Sequence, residues 1–400
     1  MGLRHRLAVT GMLVIAAALL APLPARAADP IFDQSVLHET RLVMDPADWQ
    51  ALRDNFRTNQ YYAANISIDG EVVQQVGIRS RGKGSRSGTK PGIQVDMNKY
   101  VSAQEFHGYK SLVVDNLVQD PSFLREPLSF AVFEAMGIPA PQIAYTRLTV
   151  NDQYWGLYTL VEDVTKPFLE SRLGDKEGNL YKYEYLDAYY MTYKGAAANA
   201  YVPVPFEPKT NESHLDTTGL VAFIRTINEA PDSGFTAAIS AFLDTPTFLR
   251  YVAVENAIAE NDGFVGYAGM NNYYLYQFTG GNRFVFIPWD KDTTFTDQTW
   301  PLFQRMDTNV LTRRLMEDSE QAQVYVAAVG QAAAFVSEGF LVPRLDALYE
   351  VLRNAALTDT KKPQSNDEFE LAVAQLRGII AARQPDIMGQ VQAASRRAVR

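Results

Sequence analysis

The strongest constraint on how this chain folds is a change of hydrophobic period near residue 165. Before it, short segments alternate apolar and polar residues and are separated by turn dipeptides. Residues 65–68 alternate, Asp69-Gly70 interrupts, and 72–80 resumes, which is the pattern of a β-hairpin. Residues 145–150 and 155–161 form a second such pair about Asn151-Asp152. Another strand is predicted over 92–97, and RGKGSRSGTKPG, residues 81–92, reads as a loop. Two helices interrupt this region. Asp45-Pro46 supplies an N-cap and a proline at the first helical position for a helix to Leu52. Asp120-Pro121 repeats the signal ahead of an amphipathic stretch to Met136, with a kink or restart at Pro127 and a stop at Gly137 and Pro139.

Beyond residue 165 the helical period dominates. Helices are predicted over 165–173, 218–228, 234–243 and 247–260, and most of the chain after 296 is also helical. Strands over 180–185, 272–277 and 283–287 break the run, the last two joined at Gly280-Gly281-Asn282. Residues 186–213 are irregular and read as an inserted loop. The expected fold class is α+β, with a strand-rich lobe over 28–164 and a mostly helical lobe over 165–400. The helical lobe holds one polar hairpin at 261–296. A chain of 400 residues that is 47% hydrophobic can bury a large core across two such lobes.

The first 27 residues read as a leader rather than as fold. Arg4, His5 and Arg6 precede an apolar stretch over 7–20, and Ala25-Arg26-Ala27 is an A-x-A cleavage site. That stretch falls short of the roughly 20 residues a bilayer span needs, so a secreted or periplasmic protein with no membrane span after cleavage is expected. The leader carries Arg4, Arg6 and Arg26 and no acid, so its removal takes the net charge from -9 to -12. Such a surface disfavours nucleic acid as a partner. There is no cysteine, so stability outside the cytoplasm rests on packing. Four histidines, one of them in the leader, make a His-rich zinc site a poor fit.

One element carries chemistry: ENDGFVGYAGMNNYYLYQ, then FVFIPWDKDTTF. Asp262 lies in a glycine-rich loop after a helix, Asn271 and Asn272 open a strand, and Asp290 ends its partner. If the strands pair, Asn271 or Asn272 and Asp290 face one cleft with Asp262 across from them, the other asparagine facing away. Carboxylates and a carboxamide are hard oxygen ligands suited to Mg²⁺ or Mn²⁺. The order Asp, Asn, Asp is also that of phosphoryl transfer, in which one Asp handles the incoming hydroxyl while an Asn and a second Asp hold metal. Asp292 is either a further ligand or the cap of the next turn. The D-x-D pair also suits a metal-dependent glycosyltransferase. A phosphate cleft needs cations, and Arg79, Arg81, Lys83, Arg86 and Lys90 stand among Gly82, Gly84, Ser85 and Gly88. The alternative is a solvated basic loop. Glu162 either orients a lysine by ion pairing or is a surface acid at a strand end.

Together these stretches resemble the CotH kinase family, a group of secreted atypical protein kinases. The resemblance rests on VGIRSRGKGSRSGTKPGIQVDMNKY, SLVVDNLVQDPSFLREPLSFAVFEAMGIPAP, LTVNDQYWGLYTLVEDV, GNLYKYEY, ENDGFVGYAGMNNYYLY and FIPWDKDTTF, in order over 76–296. It implies a two-lobed atypical protein-kinase-like fold, ATP with Mg²⁺ or Mn²⁺, and phosphorylation of Ser or Thr on extracytoplasmic proteins. It implies Asp262 as the catalytic aspartate, Asn271 or Asn272 and Asp290 as metal ligands, and Lys90 or Lys182 as the phosphate lysine. The rival expectation is a catalytically inactive kinase-like coat or surface protein that binds a partner.

Overall fold

The computed structural model describes residues 29–398, and the leader expected over 1–27 lies outside them. The first part is built from β1 (His38–Met44), α1 (Pro46–Asp54), β2 (Tyr62–Ile68), β3 (Glu71–Arg81), β4 (Gly92–Asp96), β5 (Ser111–Asp115), α2 (Arg125–Ala135), β6 (Ile143–Val150) and β7 (Gln153–Glu162). The strands close into a seven-stranded barrel in the order β1-β2-β3-β4-β5-β7-β6. Closure is made by a parallel pairing of β1 with β6, Thr40 opposite Leu148. Local sequence patterns do not reveal that contact, because its partners lie about a hundred residues apart. Both hairpin turns form where their dipeptides stand, with Asp69, Gly70, Asn151 and Asp152 all at positive φ.

Alternation along the strands divides their side chains between two cores. Leu112, Val114, Leu148, Tyr158 and Leu160 point into the barrel. Val113, Tyr145, Leu157 and Val161 point outward into the larger core of α2 and the helical part. The run in β7 is therefore apolar on both faces, as a strand buried on both sides must be.

The remainder comprises α3 (Lys166–Leu173), β8 (Asn179–Tyr183), β9 (Phe206–Pro208), α4 (Thr218–Glu229), α5 (Phe235–Ile239), α6 (Thr245–Ala257), β10 (Tyr273–Gln277), β11 (Phe284–Pro288), α7 (Val310–Met316), α8 (Ser319–Phe335), α9 (Glu338–Thr358) and α10 (Asn366–Ala398). A second sheet has the order β11-β10-β8-β9. Among the described residues no single helix is long and apolar enough to cross a membrane.

Two local expectations change. The segment 186–213 is not wholly irregular, since β9 pairs with β8 and completes that sheet. The helix expected after Asp120-Pro121 begins at Arg125. Asp120 instead closes a turn, accepting from the Ser122 amide and hydroxyl and from the Arg125 amide. Pro127 then falls in the first helical turn, where its missing N–H costs nothing.

Candidate active site

The site begins where α6 ends. Arg383, buried on α10, donates to the carbonyls of Asn256 and Ala257 and so satisfies the last turn of α6. Beyond that turn the chain is held by two buried glutamates. Glu255 accepts from the Phe264 amide at 2.8 Å, and Glu260 accepts from the Asp262 amide at 2.7 Å. Lys291, fully buried, reaches back between them, 2.7 Å from Glu255 and 3.7 Å from Glu260. Gly263 is required by this arrangement: a Cβ there would lie 2.6 Å from a Glu255 carboxylate oxygen. Asp262 is thus fixed from both flanks by one ionic group whose lysine comes from the hairpin.

The hairpin closes the other side. Tyr273 of β10 lies opposite Pro288 of β11, and the Trp289 amide donates to the Asn272 carbonyl. Asn272 and Asp290 both hold φ near 55°, uncommon for residues with a side chain. That left-handed turn breaks the strand alternation. In consequence neither asparagine faces away: both carboxamides donate to the same Asp262 carboxylate oxygen, at 3.0 and 3.1 Å. Burial raises the Asp262 carboxyl above its usual range, the two amides and Lys291 oppose that rise, and Asp290 adds to it.

Asp290 and Asp292, half-buried at the hairpin mouth, face further acids. Burial is the main cause that raises the Asp290 carboxyl, with Asp115 adding and Arg81, Lys182 and Lys291 opposing. Burial and the charges of Asp290, Glu126 and Asp115 hold Asp292 well above the carboxylate range. Glu126, near the start of α2, is held equally high by burial and by Asp290. Arg81, at the end of β3, pairs with Asp115 and lies over the Trp289 ring at 5.7 Å.

Among the described residues no three His, Cys, Asp or Glu side chains are set to hold a metal unaided. The donor set still fits Mg²⁺ or Mn²⁺. Mg²⁺ is usually bound by one or two carboxylates plus substrate phosphates rather than by an all-protein cage. Carboxylates this crowded also favour a cation that relieves their repulsion.

The basic residues are divided by the fold. Arg81 and Lys182 act on Asp290, Lys182 lying opposite Tyr274 and pairing with Glu184 at 3.3 Å. Lys83 rises from its loop to the Tyr185 carbonyl at 3.5 Å and sits over that ring, whose hydroxyl feels the Asp262 charge. Three candidates are engaged elsewhere. Arg79 donates to the Tyr61 hydroxyl and the Ser80 carbonyl. Glu162 pairs with Arg172 at 3.0 Å. Lys90 is buried against Asp359 at 2.7 Å, where α9 meets the barrel. Glu126, Glu255, Glu260 and Lys291 were not singled out from the sequence. A signal for two of them exists: Glu255 and Glu260 stand in the largely apolar run VAVENAIAE, where an acid needs a buried partner.

A family model described as CotH kinase protein matches residues 78–385. Inner spore coat protein H of Bacillus subtilis is 24% identical over 349 residues, which cover 84% of this chain and 93% of that protein. Invasin CotH7 of Rhizopus delemar is 26% identical over 184 residues, 46% of this chain and 30% of the invasin. The crystal structure of the Helicobacter pylori proinflammatory kinase CtkA covers 77% of this chain and 94% of its own, at 9% identity and a TM-score of 0.33. The family model spans most of the chain, which belongs to the CotH kinase protein family.

Proposed function

We propose that this member of the CotH kinase protein family is a two-lobed, kinase-like phosphotransferase that moves the γ-phosphoryl group of ATP to Ser or Thr hydroxyls of proteins outside the cytoplasm. The observation that carries the reading is a convergence of oxygen donors: Asp262 is held by Asn271 and Asn272, Asp290 acts on it, Asp292 lies by Asp290, and Arg81 and Lys182 face Asp290. Asp262 takes the acceptor hydroxyl proton on its carboxylate, and its raised affinity for protons suits a base. Asn271 and Asn272 keep that carboxylate oriented. Arg81, Lys182 and Lys83 offset phosphate charge. Asp290 and Asp292, with Asn271 or Asn272, would hold Mg²⁺ or Mn²⁺, which when bound neutralises the charge developing on the phosphates. The leader-like first 27 residues, and relatives described as an inner spore coat protein and an invasin, support a secreted or periplasmic location.

The test is transfer of labelled phosphate from ATP with Mn²⁺ to a generic protein acceptor. Asp262→Ala is expected to lower the rate on the order of 10²–10⁴-fold, and Asp290→Ala at least as much, with melting temperature near wild type. Full transfer by Asp290→Ala would sink the reading.

A second reading, a non-catalytic coat or surface protein on the same scaffold, is favoured by one observation. Lys90 and Glu162, both expected to serve a nucleotide, are instead committed to Asp359 and Arg172. Calorimetry separates the two: no heat with millimolar ATP and Mn²⁺ would select the non-catalytic protein.

A further inference from the structure

Beside the loop of Asp262 stands a cation that the site does not use. Tyr267 lies at the tip of that loop, and its amide donates to the carbonyl of Asn261, the residue before Asp262, at 2.9 Å. The residue is 69% exposed, the highest value among the described exposed large hydrophobic residues. The Arg305 guanidinium lies over this ring, 4.5 Å from its centre. Arg305 comes from the turn-rich segment that follows the hairpin, and its backbone is left-handed at φ 55°. The guanidinium has no ion pair among the described residues, and its buried Nη1 has no hydrogen-bond partner there. Arg81, the arginine that faces Asp290, is by contrast paired with Asp115.

An unpaired guanidinium is costly to keep in a fixed place. Its covered N–H keeps the desolvation penalty of a buried donor that has no partner. Stacking on tyrosine holds the planar fork in position and leaves its edge for a carboxylate. Arginine beside an exposed tyrosine is also the composition that dominates recognition surfaces. Tyr267 stands on the loop that presents Asp262, and Arg305 reaches its ring from the segment after the hairpin, so the pair flanks that loop.

We infer that Tyr267 and Arg305 form the acceptor subsite, the ring supporting the incoming polypeptide and the guanidinium pairing with an Asp or Glu carboxylate next to the acceptor Ser or Thr. The inference rests on the phosphotransfer reading for the role of Asp262, and it narrows the substrate class to acidic peptides.

Fluorescence anisotropy on the whole protein tests it. Two labelled peptides are compared, identical except for Glu or Gln beside a central serine. The wild type is expected to bind the Glu peptide about tenfold more tightly, as one charge-assisted bond implies. Arg305→Gln should bring the ratio to about one, and Arg305→Lys, which keeps charge but not the fork, should keep part of it. Tyr267→Ala should weaken both peptides. Equal binding by the wild type, or a ratio that survives in Arg305→Gln, overturns the inference. Phosphate transfer to the same peptides is read in parallel. A Glu preference in binding without transfer removes the kinase reading and leaves the acidic-peptide site. Transfer without a Glu preference does the reverse.

Discussion

The junction between barrel and α9, and the loop beneath the hairpin, each bury a lysine against carboxylates, and the two are not alike. Lys90 meets one acid, Asp359, which also accepts from the amides of Leu157, Lys361 and Lys362. Burial outweighs Asp359 and the lesser pull of Asp115, and the Lys90 ammonium is held below its usual range. Lys291 suffers the same desolvation but faces Glu255 and Glu260 together, and its ammonium is raised. One buried carboxylate shared with three backbone donors under-compensates a lysine, whereas two do more than compensate. The first junction is therefore a fastening between parts of the fold. The second is an ionic knot on which the position of Asp262 depends.

The largest expected effect tests that knot. Lys291→Met leaves two buried glutamates without a cation and should cost about 4–5 kcal/mol in denaturant unfolding. Adding Glu255→Gln and Glu260→Gln should recover a good part of the loss, because replacing a whole buried ionic group is far less harmful than orphaning half of it. Without such recovery, Lys291 would be a packing residue and the contrast with Lys90 would collapse.

A pH titration of stability probes the same knot more gently. Burial, with Glu255 adding and Lys291 opposing, raises Glu260 from 4.5 to about 7. The folded state then holds a proton that the unfolded chain releases between those values. Stability from this group is present below about pH 4.5 and is lost as pH rises through about 7. The difference amounts to roughly 3–4 kcal/mol, at about 1.4 kcal/mol per pKa unit. Glu260→Gln should remove that slope from the pH profile, and an unchanged profile would place the proton elsewhere.

Lys90→Met should do least, about 2 kcal/mol, because Asp359 keeps three amide donors. Its rate of phosphate transfer and its KM for ATP should stay at wild-type values. A tenfold rise in the KM for ATP would instead make Lys90 the phosphate lysine that the family resemblance suggests, and would require its release from Asp359.

Much of the fold was legible in one dimension. Asp69-Gly70, Asn151-Asp152 and Gly280-Gly281-Asn282 mark their hairpins because few residues tolerate the backbone those turns need. Asp45 caps α1 by accepting from the Ala47 amide at 2.7 Å, two residues along the chain. The Asp262, Asn271, Asn272 and Asp290 group was also visible, since its members lie on one loop and one hairpin. The ion pair of Lys90 was not visible, because its partner stands 269 residues away. Nor could the basic cluster be divided by spacing alone: Arg79 and Arg81 share a strand, yet one meets Tyr61 and the other Asp115.

The sequence by itself determined the short-range features: periods, turns, caps and the oxygen-rich hairpin, each set by backbone sterics and hydrogen bonds within a few residues. Tertiary structure alone decided barrel closure through β1 and β6, the sequestering of Lys90, and the turning of Lys291 inward between two aspartates that face the cleft. The physical reason is burial. A charge removed from water takes its partner from whatever the fold brings near, and distance along the chain does not measure that.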